Sequence, residues 1–229
     1  MTGLSGANHQ VPATRRTAVL VDFGGVLTSS VLDAIGDFGQ EVCGDRALPL
    51  RLLTSDIESK RLLVDREEGR ISARTFETAF AGRLRAHGAE SGDGGLLHAV
   101  QSRIRHDSCM IELIGLLRAA GIPVGLISNS LGVDDYAGLD LGTMFDAVAI
   151  SGREGVRKPS RRLYEIACER LGVPPHKIVM VDDLQQNIDA AERLGMAGIV
   201  HREAGATTTR LGHLLGMDIT ASGGGSRST

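Results

Sequence analysis

The sequence is poor in aromatic residues: its 229 residues include five Phe, two Tyr and no Trp. Stacking on a nucleobase or on a sugar face therefore has few possible donors. Lys and Arg total 25 against 28 Asp and Glu, a net charge of −3, and no block of basic residues is interleaved with aromatics. Nucleic acid is not expected as a partner, because its recognition needs a basic surface.

Cysteines and long apolar runs are also scarce. Cys43, Cys109 and Cys168 lie in separate helical patterns and in no CxxC or Cys/His array, which indicates reduced thiols without a disulfide framework or a zinc site. No apolar run reaches about 18 residues, the length of a membrane span. The first residues, MTGLSGANHQVPATRR, lack the apolar segment of a secretion signal. We expect a cytoplasmic protein with no membrane partner.

The apolar residues that are present, 42% of the chain, follow an alternating pattern. Helical periodicity separates short apolar runs; Met110, Leu113 and Leu117, for example, share one helix face. Such short, nearly continuous runs favour buried parallel strands covered by helices on both faces. We predict an α/β fold with a Rossmann-like parallel sheet. Its strands are expected at Ala18–Val21, Val124–Ile127, Ala147–Ile150, Ile178–Val181 and Gly198–Val200.

One long interval breaks this alternation. Residues 32–105 show helical patterns only, with the glycine-rich stretch SGDGG near the end. We predict that they form a helical cap, inserted into a core made of residues 17–31 and 106–219. Its place is above the sheet edge where ligands of open α/β sheets bind. Residues 1–16 are expected to be a disordered tail and residues 220–229 a flexible one.

Polar side chains follow four of the predicted strands. In chain order, with one lysine included, they are Asp22, Ser128 with Asn129, Ser151, Lys158, and Asp182 with Asp183. The carboxyl ends of parallel strands meet at one edge, where carboxylates repel each other unless a cation lies among them. A few oxygen ligands favour Mg²⁺, which often shares a substrate phosphate. Ser128, backbone amides and Lys158 are suited to the remaining phosphate oxygens.

Each of these residues, taken alone, has a simpler explanation. Asp22 is placed to cap the following helix, and so is one of the pair Asp182 and Asp183. Ser128 with Asn129 suits a turn, and Lys158 suits a solvated surface. Only three of the 25 basic residues are Lys, however, which indicates a place for a compact ammonium group. The order and spacing of the whole set carry the prediction.

The same order of residues resembles the four motifs of the haloacid dehalogenase-like (HAD) hydrolase superfamily. The resemblance runs from Thr17 to about Gly216, and DFGGVLT, LISNS, GVRKPSRRLYEIA and VMVDDLQQNIDAAERLGM carry it. These segments, with EEGRISARTFETAF in the predicted cap, are most similar to the branch that contains the phosphatase domain of soluble epoxide hydrolase. In that branch a helical cap is inserted after the first motif.

The resemblance implies catalytic roles for three residues. Asp22 would be the nucleophile that forms an aspartyl-phosphate, which water then hydrolyses. Ser128 would hydrogen-bond the phosphoryl group, and Lys158 would neutralise its charge. The residues implied to contact the substrate beside them are Asn129, Gly24 and Gly25.

The resemblance also implies a Mg²⁺ cofactor. Asp22, Asp183 and the carbonyl of Gly24 would bind the ion, with Asp182 as a further carboxylate of the metal site. Asn187 falls where many relatives have an acid and would tune the surroundings of the metal.

Gly24 departs from the superfamily pattern. Most phosphatases of the superfamily have a second Asp there, which protonates the leaving oxygen and then activates water. General acid–base catalysis of this kind contributes about 10²–10⁴-fold to the rate. Because Gly24 cannot act as this acid, we expect one of two situations. Either the substrate has a good leaving group, or the leaving oxygen takes a proton from solvent or from a cap residue such as His98 or His106.

The expected function is that of a Mg²⁺-dependent phosphatase of a small phosphorylated metabolite. Two alternatives stay open: a metal-independent dehalogenase, whose halide needs no proton, and a catalytically weakened HAD-fold protein that binds a ligand or regulates a partner.

Residues 69–72 and 31–37 are candidate walls of the substrate site. The sequence leaves the oligomeric state open, with a homodimer through the cap as one option. The residues that could pair two chains are Leu48, Leu50, Leu52 and Leu53.

Overall fold

A computed structural model describes residues 15–90, 95–131, 136 and 138–219. Its strands are β1 (Ala18–Val21), β2 (Val124–Ser128), β3 (Ala147–Ile150), β4 (Ile178–Asp182) and β5 (Ala197–Val200). They form one parallel sheet in the order β3-β2-β1-β4-β5. The predicted α/β fold is thereby confirmed. Three strands are one residue longer than predicted. β2 and β4 end one residue later, at Ser128 and Asp182, and β5 begins one residue earlier, at Ala197.

β1 lies in the middle of the sheet, paired with β2 on one side and β4 on the other. Its last residue, Val21, is in register with Leu126 and with Val181. Every residue of these three strands is buried, because helices cover both faces of the parallel sheet. Asp22, one residue beyond β1, therefore lies at the centre of the carboxyl edge, between the ends of β2 and β4.

Helices make up most of the rest of the described chain. They are α1 (Val31–Cys43), α2 (Ala47–Ser55), α3 (Ile57–Glu67), α4 (Ala73–Ala86), α5 (Leu96–Arg103), α6 (Ser108–Ala119), α7 (Leu141–Met144), α8 (Ser151–Glu154), α9 (Arg161–Leu171), α10 (Gln185–Arg193) and α11 (Ala204–Leu215). None of the helices in these ranges has the length and hydrophobicity that crossing a bilayer requires.

Alternate residues of β1 contact different helices. Val19 and Val21 belong to the apolar cluster that α6 and α11 complete on one face of the sheet. Ala18 and Leu20 belong to the cluster that α9 and α10 complete on the other face. Because described helices cover both faces in this way, a ligand is expected at an end of the sheet, and the carboxyl end holds the polar residues.

Residues 31–105, here called the helical insertion, contain α1 to α5 and no strand among their described members. The five helices enclose an apolar cluster of their own, in which the rings of Phe76 and Phe80 stack with centroids 5.7 Å apart. The two ends of the insertion meet at a bridge between Thr28 and His106. The insertion is thus a separate helical layer joined to the sheet through neighbouring segments.

The leucines expected to pair two chains lie inside the helical insertion. Leu48, Leu52 and Leu53 are buried in its apolar cluster, and Leu50 lines a cavity. The homodimer stays a prediction, and these side chains do not supply a surface for it.

Most of the predicted tails and most of the SGDGG stretch lie outside the described residues. Two residues of the first tail are described, and both contact the end of α11. Arg15 donates from Nε to the carbonyl of Leu215 at 2.7 Å, and the N–H of Arg16 donates to the carbonyl of Leu214 at 3.2 Å. These two residues therefore belong to the folded part of the chain.

Candidate functional site

The structure brings the predicted carboxylates and Lys158 together at the carboxyl edge of the sheet. Asp22, Asp182 and Asp183 each place a carboxylate oxygen within 4.8 Å of the others. The Nζ atom of Lys158 lies 2.7 Å from Asp22 Oδ1 and 2.7 Å from Asp182 Oδ2. These four side chains, which come from three separate segments, are called the carboxylate–lysine cluster below.

The simpler explanations for these residues do not hold in the structure. Lys158 is 1% exposed, so it is not a solvated surface charge. The N-cap of α10 is Leu184, and no side chain caps that helix. The carboxylate of Asp22 accepts from the N–H of Phe23 next to it, at 2.7 Å, and caps no helix.

Asn129 holds the backbone of Lys158 at both of its polar groups. Its Oδ1 accepts from the Lys158 N–H at 2.8 Å, and its Nδ2 donates to the Lys158 carbonyl at 3.1 Å. The side chain predicted to contact substrate therefore fixes the lysine that bridges the carboxylates. Ser128, one residue earlier, is buried and lines the cavity above the cluster.

Asp182 is fully buried, and protein donors occupy both of its oxygens. Lys158 and the Nδ2 of Asn187 donate to Oδ2, at 2.7 and 3.1 Å. The N–H of Leu184 and the same Asn187 nitrogen donate to Oδ1, at 2.9 and 3.0 Å. With its lone pairs engaged in this way, Asp182 is better placed to orient Lys158 than to bind a metal directly. Asn187, as predicted from its position, lies behind the cluster.

Asp22 and Asp183 are the carboxylates with open oxygens. Among the described residues, no other residue donates a hydrogen bond to Asp22 Oδ2 or to the Asp183 side chain. Gly25 makes room for Asp183, because a Cβ at that position would lie 2.3 Å from Asp183 Oδ2. Gly25 also has φ 75°, a conformation that disfavours other residues. The loop after β1 is thus shaped around the Asp183 carboxylate.

The charges of the cluster do not balance, since three carboxylates surround a single ammonium group. Burial raises the pKa of Asp22 to about 7, against the opposing effect of Lys158, and the other carboxylates add to the rise. Burial and the neighbouring Asp182 raise the pKa of Asp183 to about 6. Burial alone would lower the pKa of Lys158, but Asp22 and Asp182 outweigh it and raise this pKa. A charge of −2 with all groups ionised, and oxygen donors only, fit a divalent cation such as Mg²⁺.

A cavity of about 670 Å³ lies above the carboxylate–lysine cluster, between the sheet edge and the helical insertion. Gly24 lines it beside Asp22, and so do Val31, Leu32 and Ile35 of the predicted wall 31–37. The other predicted wall, residues 69–72, does not line it. Of the two histidines considered as proton donors, His106 lines the cavity, whereas His98 is exposed elsewhere on the insertion.

Residues 17–195 match the family model described as haloacid dehalogenase-like hydrolase. The chain belongs to this family. The match includes every residue of the carboxylate–lysine cluster and the whole helical insertion. The closer resemblance to the soluble epoxide hydrolase branch stays a prediction.

Known proteins similar to this HAD-like hydrolase include two curated phosphatases. The sesquiterpene phosphatase astK of Aspergillus oryzae is 28% identical over 116 residues, which are 49% of this chain and 59% of the relative. The glyceraldehyde 3-phosphate phosphatase of Methanopyrus kandleri is 34% identical over 94 residues, which are 39% of this chain and 40% of the relative. The chain therefore spans 59% and 40% of the lengths of these two curated relatives.

A solved structure of the same fold is that of a predicted HAD-like family hydrolase from Porphyromonas gingivalis. It aligns with a TM-score of 0.63 at 25% sequence identity, over 86% of this chain and 98% of that one. This coverage is larger than the sheet core alone, so it includes part of the helical insertion.

Sequence reasoning missed the pair Glu67 and Arg157, which joins the helical insertion to the HAD core. Glu67 Oε2 lies 2.5 Å from Arg157 Nε, and burial raises the pKa of Glu67 to about 7 against the effect of Arg157. The Glu67 carbonyl accepts from Ser151 Oγ at 2.5 Å, which in turn accepts from the Ser130 N–H at 2.9 Å. The sequence does place Arg157 next to the predicted site residue Lys158, which marks Arg157 as close to the site. Nothing in the sequence, however, indicates that Arg157 pairs with Glu67.

Gly25→Ala tests the fit between the loop and Asp183. The new methyl group displaces the Asp183 carboxylate, so we expect at least a tenfold loss of Mg²⁺ or Mn²⁺ affinity by isothermal titration calorimetry. Gly44→Ala is the matched control, because Gly44 has φ 69° and no atom within 4 Å of an added Cβ. The control is expected to lose about 1 kcal/mol of stability and no metal affinity. Equal metal affinity in both variants contradicts this description of the site.

Proposed function

We propose that this HAD-like hydrolase is a phosphatase of a small phosphorylated metabolite, with Mg²⁺ as cofactor and an aspartyl-phosphate intermediate. The observation that carries the proposal is the position of Lys158, buried between Asp22 and Asp182 with Asp183 close by. A nucleophile, a fixed cation and an excess of negative charge lie together at one end of a cavity. Two of the similar curated proteins are named as phosphatases, which supports the same class of reaction.

The proposed nucleophilic atom is Oδ2 of Asp22. The Phe23 N–H and Lys158 hold Oδ1, and this orients the carboxylate with its other oxygen open. Oδ2 forms a bond to phosphorus as the bond from phosphorus to the ester oxygen breaks, and the departing oxygen takes a proton from water or from a donor on the cavity wall, which leaves an aspartyl-phosphate and an alcohol. Water then attacks the phosphorus, the bond from phosphorus to Oδ2 breaks, and inorganic phosphate and the Asp22 carboxylate are released.

Ser128 and Lys158 stabilise the phosphoryl group during both steps. The Ser128 hydroxyl is proposed to donate to one phosphoryl oxygen, while the ammonium group of Lys158 compensates the negative charge that develops on the others. Asn129 positions Lys158 through its backbone. Phosphoryl transfer depends mainly on such fixed charges and donors, so positioning residues matter as much as the nucleophile.

Mg²⁺ is proposed to be held by Asp22, Asp183 and the carbonyl of Gly24, with Asp182 behind them. When bound, the ion would supply positive charge that stabilises the negative charge of the phosphoryl group. The residues present fit this ion because Asp22 and Asp183 have open oxygens and the cluster is short of positive charge. The helical insertion is proposed to act as a cap that keeps water out of the cavity during transfer.

Gly24 has no side chain that could protonate the leaving oxygen, so another donor has to supply that proton. Glu67 and His106 line the cavity and are the candidates on its walls, beside water itself. A HAD-fold protein with weak activity and a binding or regulatory role is the second candidate function, and the missing acid at Gly24 favours it. A metal-independent dehalogenase needs no site for a divalent cation, so the cluster of Asp22, Asp182 and Asp183 argues against that alternative.

Phosphate release from p-nitrophenyl phosphate and a panel of phosphorylated metabolites tests the proposed function. We expect turnover with Mg²⁺, none after chelation, and a loss of about 10³-fold or more in Asp22→Asn. Asp189→Asn is the matched control, since Asp189 is an exposed carboxylate on α10 that accepts from Gln185, and it should keep the wild-type rate. Chloride release from 2-chloropropionate without metal favours the dehalogenase, and a rate unaffected by Asp22→Asn excludes the mechanism.

Gly24→Asp tests whether the missing acid limits the rate. The backbone of Gly24 is not left-handed, but a Cβ there would lie 2.8 Å from Val31 Cγ2, so we combine it with Val31→Ala. The double variant is expected to raise kcat on alkyl phosphates by about 10- to 100-fold, with little change on p-nitrophenyl phosphate, whose leaving group needs no proton.

The control for this double variant replaces the acid with an amide of the same size. Gly24→Asn with Val31→Ala has the same shape and cannot transfer the proton. If the Asp and Asn double variants show equal rates on alkyl phosphates, the absence of an acid at Gly24 is not what limits this protein.

A further inference from the structure

The walls of the cavity are mostly apolar where the helical insertion forms them. The insertion contributes sixteen of the lining residues, and twelve of these are apolar. The four polar ones are Thr54, Lys60, Glu67 and Gln101. The polar end of the cavity is therefore the carboxylate–lysine cluster, and the opposite walls are hydrocarbon.

Several of these apolar side chains are not fully covered by protein. Leu32, on α1, is 44% exposed, and it is one of two large hydrophobic side chains that the described residues expose. Val31, Leu63 and Leu97 are half-buried at the same cavity. An uncovered apolar wall inside a ligand cavity favours an apolar ligand, because burying both surfaces removes them from water.

The polar residues that the helical insertion contributes to the wall are poorly placed to bind the hydroxyl groups of a sugar or a polyol. Thr54, Lys60 and Gln101 are exposed, which places them at the opening of the cavity. Glu67 is already paired with Arg157. Hydroxyl groups of a bound sugar would face the hydrocarbon walls without partners, and unpaired buried polar groups are costly.

We infer that the substrate is a phosphate monoester of a long apolar alcohol, with an alkyl or prenyl chain. The inference rests on the proposed phosphatase function and names the substrate class of the same site. The phosphate lies at Asp22 and Lys158, and the chain extends along Val31, Leu32, Leu63 and Leu97. A cavity of about 670 Å³ is within the range that takes ligands of drug-like size, which corresponds to a chain of roughly 10 to 15 carbons.

A chain-length series tests this inference. KM and kcat are measured with Mg²⁺ for ethyl, butyl, hexyl, octyl and decyl phosphate, for geranyl and farnesyl monophosphate, and for glucose 6-phosphate. KM is expected to fall about two- to fourfold for each added methylene until the cavity is filled, and glucose 6-phosphate is expected to be a poor substrate. Comparing the KM values of the alkyl phosphates with those of the prenyl phosphates shows which kind of chain fits the cavity better. A KM independent of chain length, or a preference for glucose 6-phosphate, overturns the inference.

A pair of variants locates the chain in the cavity. Leu32→Asn is expected to raise the KM for decyl phosphate about fivefold or more, and to raise the KM for ethyl phosphate by a smaller factor. Ile57→Asn is the matched control, because Ile57 is the other exposed large hydrophobic residue, at 84%, and does not line the cavity. If both variants change the KM for decyl phosphate equally, or neither does, the chain does not lie against Leu32.

Binding without turnover separates this inference from the proposed function. Calorimetry with ethyl- and decylphosphonate, which cannot be hydrolysed, measures chain binding alone. Stronger binding of decylphosphonate supports the apolar site, and equal or absent binding of both overturns it. Chain-dependent binding without hydrolysis of any phosphate contradicts the phosphatase function only. Asp22-dependent hydrolysis of polar phosphates without chain dependence contradicts only the substrate class.

Discussion

The ammonium group of Lys158 lies between two buried carboxylates, 2.7 Å from Asp22 and 2.7 Å from Asp182. Buried charges are costly unless they are paired and hydrogen-bonded, and the surrounding residues meet that requirement. Asn129 fixes the backbone of Lys158, and Asn187 donates to Asp182. Asp183 is the carboxylate that this arrangement leaves without a cation. The proposed divalent ion supplies it. Burial raises the pKa values of Asp22 and Asp183, and the neighbouring carboxylates add to the rise.

The sheet and the polar residues at its edge could be predicted from the sequence because each signal is local. An apolar run followed at once by Asp22 or Asp182 marks a buried strand and its carboxyl end, and parallel pairing brings such ends together. The contact of Glu67 with Arg157 could not be predicted, since it depends on how α3 docks on the sheet edge. The leucines of α2 were considered for a dimer surface because periodicity identifies an apolar face without its partner, whereas the structure buries Leu48, Leu52 and Leu53 within the insertion.

The two neighbouring glycines of the first motif have different consequences. Gly25 is required by geometry, as its left-handed backbone and missing Cβ make room for Asp183. Gly24 has an ordinary backbone and faces Val31, so the catalytic acid is absent from a position that would accept a side chain after one small adjustment. A cavity walled by leucine and valine sits above this motif. The proposed phosphatase would therefore combine a fixed cation beside the nucleophile with no acid at Gly24 and an apolar ligand space.

Crystals of the protein soaked in Mn²⁺ offer the most direct measurement, through an anomalous difference map. If Asp22 and Asp183 share one divalent cation, a single strong peak lies between their carboxylates, on the side away from Lys158, and disappears in Asp183→Asn crystals. The account is contradicted if saturating Mn²⁺ gives no peak there, or if the peak persists without the Asp183 carboxylate.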